Sequence, residues 1–275
     1  MAASVVVLAA APIAKPNCPD RCGDVKIPYP FGTRKGCYLD PFYFINCTDD
    51  NSNKTLQPIH GNVVVRSISL DGHFEFSGYP ASECYKNVNS IFYRITTFDS
   101  ISYTQNVFVA VGCDTIAYLN GTKNGRNFSM GCMSVCQDSN DVVNGSCLGI
   151  GCCQVEIPRG LWDFTIEARS FSGHKEVWKF NPCSNAFIVK KDAFNFSTKY
   201  LHALYTNNSS FPMVVNWGIG IETCKIARSK SDFPCRGNSK CYDDFVDYNG
   251  YRCRCNPGYV GNQTSPMVAK IPRRE

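Results

Sequence analysis

The cysteines are the residues whose type and spacing constrain the chemistry most. The chain has 17 cysteines in 275 residues, and Cys152 and Cys153 are adjacent. Zinc sites use short ligand pairs such as C-x-x-C with a matching second pair, and no C-x-x-C occurs in this sequence. The irregular spacings therefore predict disulfides. Disulfides persist in oxidising compartments, so the sequence predicts a secreted protein.

Catalytic patterns are absent from the sequence. The four histidines, His60, His73, His174 and His202, form no H-E-x-x-H pattern, and no G-x-S-x-G occurs. Asp243 and Asp244 are adjacent acids, but neighbouring residues of a strand point to opposite faces and would not act as a glycosidase pair. We therefore expect a protein that is not an enzyme and uses no cofactor and no metal.

The N-terminus resembles a weak secretion signal. Residues 5–11 are apolar and end in small residues, but no positive charge precedes them. We assign residues 1–14 to a signal peptide. This run is much shorter than the roughly 20 apolar residues that cross a bilayer, and no longer run follows, so no membrane span is predicted.

N-glycosylation signals support the same compartment. The pattern N-x-S/T marks nine predicted glycan positions, at Asn46, Asn53, Asn120, Asn127, Asn144, Asn195, Asn207, Asn208 and Asn262. Because triplets of this kind also arise by chance in loops, occupancy stays open. Glycans would shield the faces that carry them from a ligand.

Alternating apolar residues predict a mainly β fold. Val107, Val109 and Val111 alternate, as do the apolar positions of residues 162–168, which indicates half-buried strands. Only residues 190–196 suggest a helical turn. We expect disulfide-rich extracellular domains of short strands and long connections.

Cysteine spacing divides the chain into units at residues 17–110, 111–222 and 223 onward. The net charge of +5 is not spread evenly among them. Residues 17–110 have 8 Lys and Arg against 9 Asp and Glu, residues 111–222 have 9 against 9, and residues 223–275 have 10 against 5. Without a basic stripe, nucleic acid is not expected as a partner.

Two cysteine-containing blocks carry a family resemblance. The first runs from Cys18 through C-G-D-V-K-I-P-Y-P-F-G to the aromatic run that ends at Cys47. It resembles the galacturonan-binding domain of plant wall-associated receptor kinases, which we place at residues 17–110. The second, with G-C-M-S-V-C, N-G-S-C-L-G-I-G-C-C-Q and I-P-R-G-L, is similar to the C-terminal cysteine-rich domain of the same ectodomains, which we place at residues 111–222.

Residues 223–262 resemble an incomplete EGF-like module, followed by a divergent tail at 263–275. Five of the six expected cysteines are present. The usual EGF order implies the pairs Cys224–Cys241 and Cys235–Cys253 and leaves Cys255 unpaired. The acidic pair that calcium-binding modules place before the first cysteine is missing, so we predict no metal here. The membrane helix and kinase of the resembled receptors are not encoded, which suggests a truncated ectodomain.

The resemblance implies that the chain binds pectin or oligogalacturonides in the cell wall or apoplast, where family members are anchored to the plasma membrane. Such a polyanion needs cations for its carboxylates and aromatic faces for its rings. The predicted binding residues are Lys26, Tyr29, Arg34, Lys35, Tyr38, Tyr43 and Arg66. Alternatively, the tyrosines are core residues and the cations are merely solvated. A different function is also open, in which the chain pairs with receptor ectodomains or a secreted peptide.

Overall fold

The computed structural model describes residues 12–49, 55–86, 91–96, 100–123, 126–204, 209–235, 237–243, 250–262, 264 and 269–270. The chain forms two compact units. One combines Met1–Gly72 with Gly218–Glu275, and the other is His73–Trp217. These limits differ from the predicted boundaries at residues 110 and 222, which remain predictions about sequence domains.

The N-terminal part of the first unit consists of short antiparallel strands. They are β1 (Arg21–Cys22), β2 (Val25–Lys26), β3 (Asn46–Asp49), β4 (Leu56–His60) and β5 (Val63–Ser69). β1 pairs with β2, and β3, β4 and β5 form a meander. A 3-10 helix at Pro41–Tyr43 precedes β3. The disulfides Cys18–Cys37 and Cys22–Cys47 close this part of the chain.

The second unit has two four-stranded antiparallel sheets and a further strand pair. Its elements are β6 (His73–Gly78), β7 (Ala81–Cys84), β8 (Tyr93–Thr96), β9 (Asn106–Val111), β10 (Asp114–Lys123), β11 (Arg126–Val135), β12 (Cys152–Glu156), β13 (Asp163–Arg169), β14 (Cys183–Lys190), α1 (Tyr200–Ala203) and β15 (Phe211–Asn216), with a 3-10 helix at Ser139–Asp141. The sheet orders are β11-β10-β13-β8 and β12-β9-β14-β7, and β6 pairs with β15.

Apolar periodicity explains the core of this unit. In β13, Phe164, Ile166 and Ala168 are buried while the residues between them are partly exposed, as the alternation predicts. β9 differs from the half-buried strand that was predicted, because all six of its residues are buried. The reason is its position between β12 and β14, with apolar side chains at the intervening positions as well.

Four disulfides fix the second unit. They are Cys84–Cys183, Cys113–Cys136, Cys132–Cys153 and Cys147–Cys152. The neighbours Cys152 and Cys153 bond to different partners because successive side chains of a strand point to opposite faces.

The C-terminal part of the first unit contains α2 (Cys224–Ala227), β16 (Ser239–Tyr242), β17 (Arg252–Cys255), β18 (Tyr259–Val260) and β19 (Ala269–Lys270). β16 pairs with β17, and β18 with β19. The disulfides are Cys224–Cys241 and Cys235–Cys253, the same pairs that the EGF-like order implies, and Cys255 is a half-buried free thiol. The predicted mainly β, disulfide-rich fold is confirmed.

Candidate functional site

The family-like segment P-Y-P-F-G pairs with the aromatic run that follows it. The Gly32 amide donates a hydrogen bond to the Tyr43 carbonyl at 3.2 Å, and the Ile45 amide donates to the Gly32 carbonyl at 2.9 Å. A side chain on Gly32 would place its Cβ 2.5 Å from the backbone carbon of Cys37 and 2.8 Å from the Tyr38 nitrogen. Gly32 therefore allows the loop at residues 33–38 to lie directly against this segment.

Two predicted binding residues belong to the core instead. Tyr43 is 2% exposed, and its hydroxyl donates to the Gly218 carbonyl at 2.8 Å and accepts from the Gly220 amide at 3.1 Å. Tyr29 is also buried. Its burial, with smaller effects from Asp232 and Asp40, raises the pKa of the phenol to about 12.

The roles predicted for Tyr29 and Tyr43 are therefore corrected. A ring that is covered on both faces cannot stack on a sugar, and these two tyrosines hold the backbone that carries the site.

Two cations lie beside the Cys18–Cys37 disulfide, and a third is exposed on the same loop. The Lys15 ammonium donates to the Gly36 carbonyl at 3.3 Å and lies 4.8 Å from the centroid of the Tyr29 ring. The Arg34 guanidinium donates to the Asn17 carbonyl, and its Nε lies 3.5 Å from Cys37 Sγ. Lys35 is exposed on the same loop. We call Lys15, Arg34 and Lys35 the basic loop; within the described residues, no salt bridge joins any of them to a carboxylate.

Lys15 was missed by the sequence reasoning because it precedes the first cysteine. The disulfide between Cys18 and Cys37, with the hydrogen bonds of Lys15 and Arg34, holds residues 15–18 against residues 34–37. Its spacing, three residues before a cysteine that pairs with the loop, is the signal that could have identified it.

Two partly exposed aromatic rings lie next to the basic loop in sequence. Tyr38 and Phe44 pack edge to face with ring centroids 5.6 Å apart, and Phe44 is 39% exposed. We call this pair the aromatic step. Tyr38 follows Cys37 directly, so the step continues the chain segment that carries Arg34 and Lys35. Its exposed ring area could contact the apolar face of a sugar.

The other two predicted cations lie on strands. Lys26 is exposed on β2 and Arg66 is exposed on β5, and these two strands pack against each other. Lys26 and Arg66 therefore lie on two neighbouring strands and are not part of the basic loop.

The predicted glycan positions differ in accessibility. Asn46, Asn127, Asn144 and Asn195 are exposed and Asn120 is half-buried, while Asn53, Asn207 and Asn208 lie outside the described residues. Asn262 is 0% exposed. Its amide nitrogen donates to the carbonyls of Ile13 and Tyr29, the latter at 2.6 Å. A glycan would replace one of the two hydrogens on that nitrogen and would have to leave a position with no solvent exposure, so we withdraw Asn262 from the predicted set.

A buried group of Asp, His and Ser side chains in the second unit stabilises a loop. The Asp114 carboxylate accepts bonds from the backbone of residues 171, 172 and 174 and from the hydroxyls of Ser170 and Ser172. Burial opposes ionisation of Asp114, but these bonds outweigh it and lower its pKa. His174 Nε2 is 3.5 Å from Ser184 Oγ, and both residues are buried. Because Asp114 holds a loop rather than the imidazole, this group lacks the geometry of a catalytic triad.

The described ranges contain neither a cluster of metal ligands nor a membrane-spanning helix. No group of three or more His, Cys, Asp or Glu side chains there could hold a metal ion. No helix among those residues has the length and apolar character needed to cross a membrane.

Comparisons with known proteins find relatives that match most of the chain. The family model described as wall-associated receptor kinase galacturonan-binding matches residues 18–77. Wall-associated receptor kinase 2 of Arabidopsis thaliana is 37% identical over 259 residues, which are 91% of this chain and 34% of the relative. Wall-associated receptor kinases 3 and 5 of the same plant are 36% and 35% identical, over 90% of this chain and 34% and 33% of their own lengths.

The chain thus spans about a third of the length of these curated relatives. No solved structure matches it significantly. The matches extend across both compact units and agree with the cysteine blocks and the β-rich fold. The chain is therefore similar to the wall-associated receptor kinases over about a third of their length, and its residues 18–77 match their galacturonan-binding family model.

Proposed function

We propose that the chain is an extracellular binding module, not an enzyme, that binds homogalacturonan in the plant cell wall through the basic loop and the aromatic step. The observation that carries the proposal is the position of Lys15 and Arg34 beside the Cys18–Cys37 disulfide, with Lys35 exposed next to Arg34 on the same loop. Their positive charges have no carboxylate partner among the described residues. The family model for galacturonan binding covers residues 18–77, which include most of this surface.

Homogalacturonan matches this surface chemically. Each unesterified sugar unit carries one carboxylate, so a short stretch offers several charges to the basic loop. A single exposed ion pair contributes only about 0.2–1 kcal/mol, so binding requires several pairs at once. Screening has a length of about 8 Å at physiological salt, and the affinity should fall as salt is added. The exposed edge of Phe44 adds a contact that salt does not weaken.

Retention on immobilised pectin tests the proposal. De-esterified pectin should retain the protein at low salt, whereas methyl-esterified pectin and a neutral glucan should not. The double variant Arg34→Ala/Lys35→Ala should lose most of this retention. The control variant Lys225→Ala/Arg228→Ala removes two exposed cations of the same unit and should bind like the wild type. Equal retention of both variants, or no retention of the wild type at low salt, would refute the proposal.

A second candidate function is binding of a protein partner, such as a receptor ectodomain or a secreted peptide. An exposed apolar patch on the second unit favours it. Met133 and Val135 on β11 are exposed, and so are Leu148 and Ile150, with Leu148 at 92%. The Val135 amide donates to the Gly149 carbonyl at 3.0 Å, which holds residues 148–150 beside the strand. Exposed apolar patches commonly mark protein interfaces.

Binding to a receptor ectodomain tests this second function. The affinity should be unchanged by added oligogalacturonide and should fall in the Leu148→Asp/Ile150→Asp variant. Loss of binding in the Arg34→Ala/Lys35→Ala variant alone would instead assign the contact to the basic loop.

A further inference from the structure

A second aromatic and basic surface lies in the second compact unit, outside the residues that match the family model. The rings of Tyr85 and Trp178 are stacked, with centroids 5.4 Å apart and planes 13° from parallel. Trp178 is nevertheless 42% exposed. Within the described part of the chain, Tyr85 is the only ring that Trp178 contacts. A large apolar surface of Trp178 therefore faces solvent.

The backbone holds this tryptophan in place. The Trp178 amide donates to the His174 carbonyl at 2.9 Å, and Val177 next to it is buried. Asn181 ends the turn, with its side chain donating to the carbonyls of Cys183 at 2.9 Å and Leu201 at 2.8 Å. Trp178 thus projects from a fixed turn, so little conformational entropy of the protein would be lost when a ligand binds to it.

Backbone contacts also fix Tyr85, the ring that stacks on Trp178. Its amide donates to the Pro182 carbonyl at 2.8 Å, and the preceding residue forms the Cys84–Cys183 disulfide. The two stacked rings therefore belong to one rigid framework, although they are far apart in sequence.

One cation contacts the stacked rings, and two more are exposed on the turn that carries Trp178. The Lys86 ammonium lies 5.1 Å from the centroid of the Tyr85 ring. Lys175 and Lys179 flank Trp178 in the same turn and are exposed, and neither forms a salt bridge with a described residue. Glu176 is the one acid within residues 174–181, so the turn keeps a net positive charge.

We propose that Tyr85, Lys86, Lys175, Trp178 and Lys179 form a second saccharide-binding surface, selective for oligosaccharides that contain uronic acids. An exposed indole ring packs against the apolar face of a pyranose, and the lysines pair with the carboxylates of that sugar or of the next one along. A neutral sugar would use the ring and leave the lysines unpaired. The ligand class is the one in the proposed function, but the surface is separate and does not depend on the basic loop.

Tryptophan fluorescence tests this proposal on the whole chain. The chain has three tryptophans. Trp217 is 2% exposed and Trp162 is 45% exposed, so the Trp162→Phe variant removes the competing exposed signal. In that background, oligogalacturonide should change the Trp178 emission in a saturable way. Its carboxyl-reduced form, which lacks the charges, should give a much weaker change.

Variants separate this surface from the basic loop. Trp178→Phe should abolish the emission change, and calorimetric titration in the Arg34→Ala/Lys35→Ala background should show that Trp178→Ala raises the dissociation constant at this surface roughly tenfold. Lys175→Ala/Lys179→Ala should weaken binding several-fold and reduce its salt dependence. The emission change should persist in Arg34→Ala/Lys35→Ala, so failure of the basic loop and failure of this surface give different results.

Three outcomes would overturn the proposal: an emission change that survives Trp178→Phe, an equal response to the carboxyl-reduced oligomer, or an unchanged affinity in the lysine double variant. If Trp178→Ala does not fold, the phenylalanine and lysine variants still decide the question.

Discussion

Replacement of Gly32 by alanine should disrupt the basic loop while the rest of the chain stays folded. The added Cβ would lie 2.5 Å from the backbone carbon of Cys37, 2.6 Å from its oxygen and 2.8 Å from the Tyr38 nitrogen. All three are backbone atoms of a loop tied by the Cys18–Cys37 disulfide, so they cannot rotate out of the way. Overpacking of this kind typically costs 1–3 kcal/mol, and we expect about 3 kcal/mol for Gly32→Ala.

Gly36 supplies a matched control. Nothing lies within 4 Å of a Cβ placed there, but its φ is +88°, in the region that favours glycine. Alanine at this position meets conformational strain alone, of roughly 1–2 kcal/mol. The two variants therefore separate steric overlap from backbone strain within one loop.

Amide hydrogen exchange at Ile45 measures the effect locally. This amide donates to the Gly32 carbonyl at 2.9 Å, so it exchanges when the segment opens. A cost of about 3 kcal/mol should accelerate its exchange roughly hundredfold in Gly32→Ala. The Gly36→Ala variant should show a much smaller change at Ile45. If Ile45 keeps its wild-type protection in Gly32→Ala, the loop does not lie as close to Gly32 as we describe.

Three further predictions concern the disulfides, pH and the free thiol. Loop-closure entropy assigns about 4.7 kcal/mol to Cys84–Cys183, which closes a separation of 99 residues, and about 2 kcal/mol to Cys147–Cys152, which closes 5. Urea unfolding of the two double Cys→Ser variants should follow that order, and the reverse order would contradict it. Burial lowers the pKa of His174, so its contribution to stability is complete above the unfolded pKa of about 6.5 and is lost as pH falls below it. His174→Asn should make urea midpoints less sensitive between pH 7.5 and 5.5; an unchanged slope would exclude this residue as the cause. Burial also raises the pKa of Cys255, so alkylation of the unreduced protein should be slow, faster at higher pH and confined to that residue. A peptide map with label at another cysteine would contradict the disulfide assignment.

The local patterns of the sequence were sufficient to predict the fold class but not to predict which residues are buried. Alternation correctly indicated the buried face of β13, because that sheet covers only one face of the strand with core. The same alternation in β9 suggested a half-buried strand, yet Phe108 and Ala110 are buried as well. Whether a strand is central or at an edge depends on its neighbours, which are far away in sequence. Residues 190–196, expected to contain a helical turn, instead end β14 and continue as a turn.

The same limit applies to the candidate site, because local sequence does not show which distant residues a side chain contacts. Sequence reasoning placed Arg34, Lys35 and Tyr38 in a binding segment, and the structure puts them on or beside one loop. It could not distinguish Tyr43 as a core residue, because the partners of its hydroxyl lie 175 and 177 positions away. Nor could it find Lys15, whose position depends on the Cys18–Cys37 bond. Twelve cysteines allow on the order of ten thousand pairings, and spacing alone does not choose among them.

The most direct test of the central claim is a map of amide exchange on the glycosylated protein with and without de-esterified oligogalacturonide at saturation. If homogalacturonan binds at the basic loop and the aromatic step, exchange should slow in residues 15–18 and 33–44. The Arg34→Ala/Lys35→Ala variant should lose this protection at the same ligand concentration. Saturable binding that leaves both segments unprotected would contradict the account.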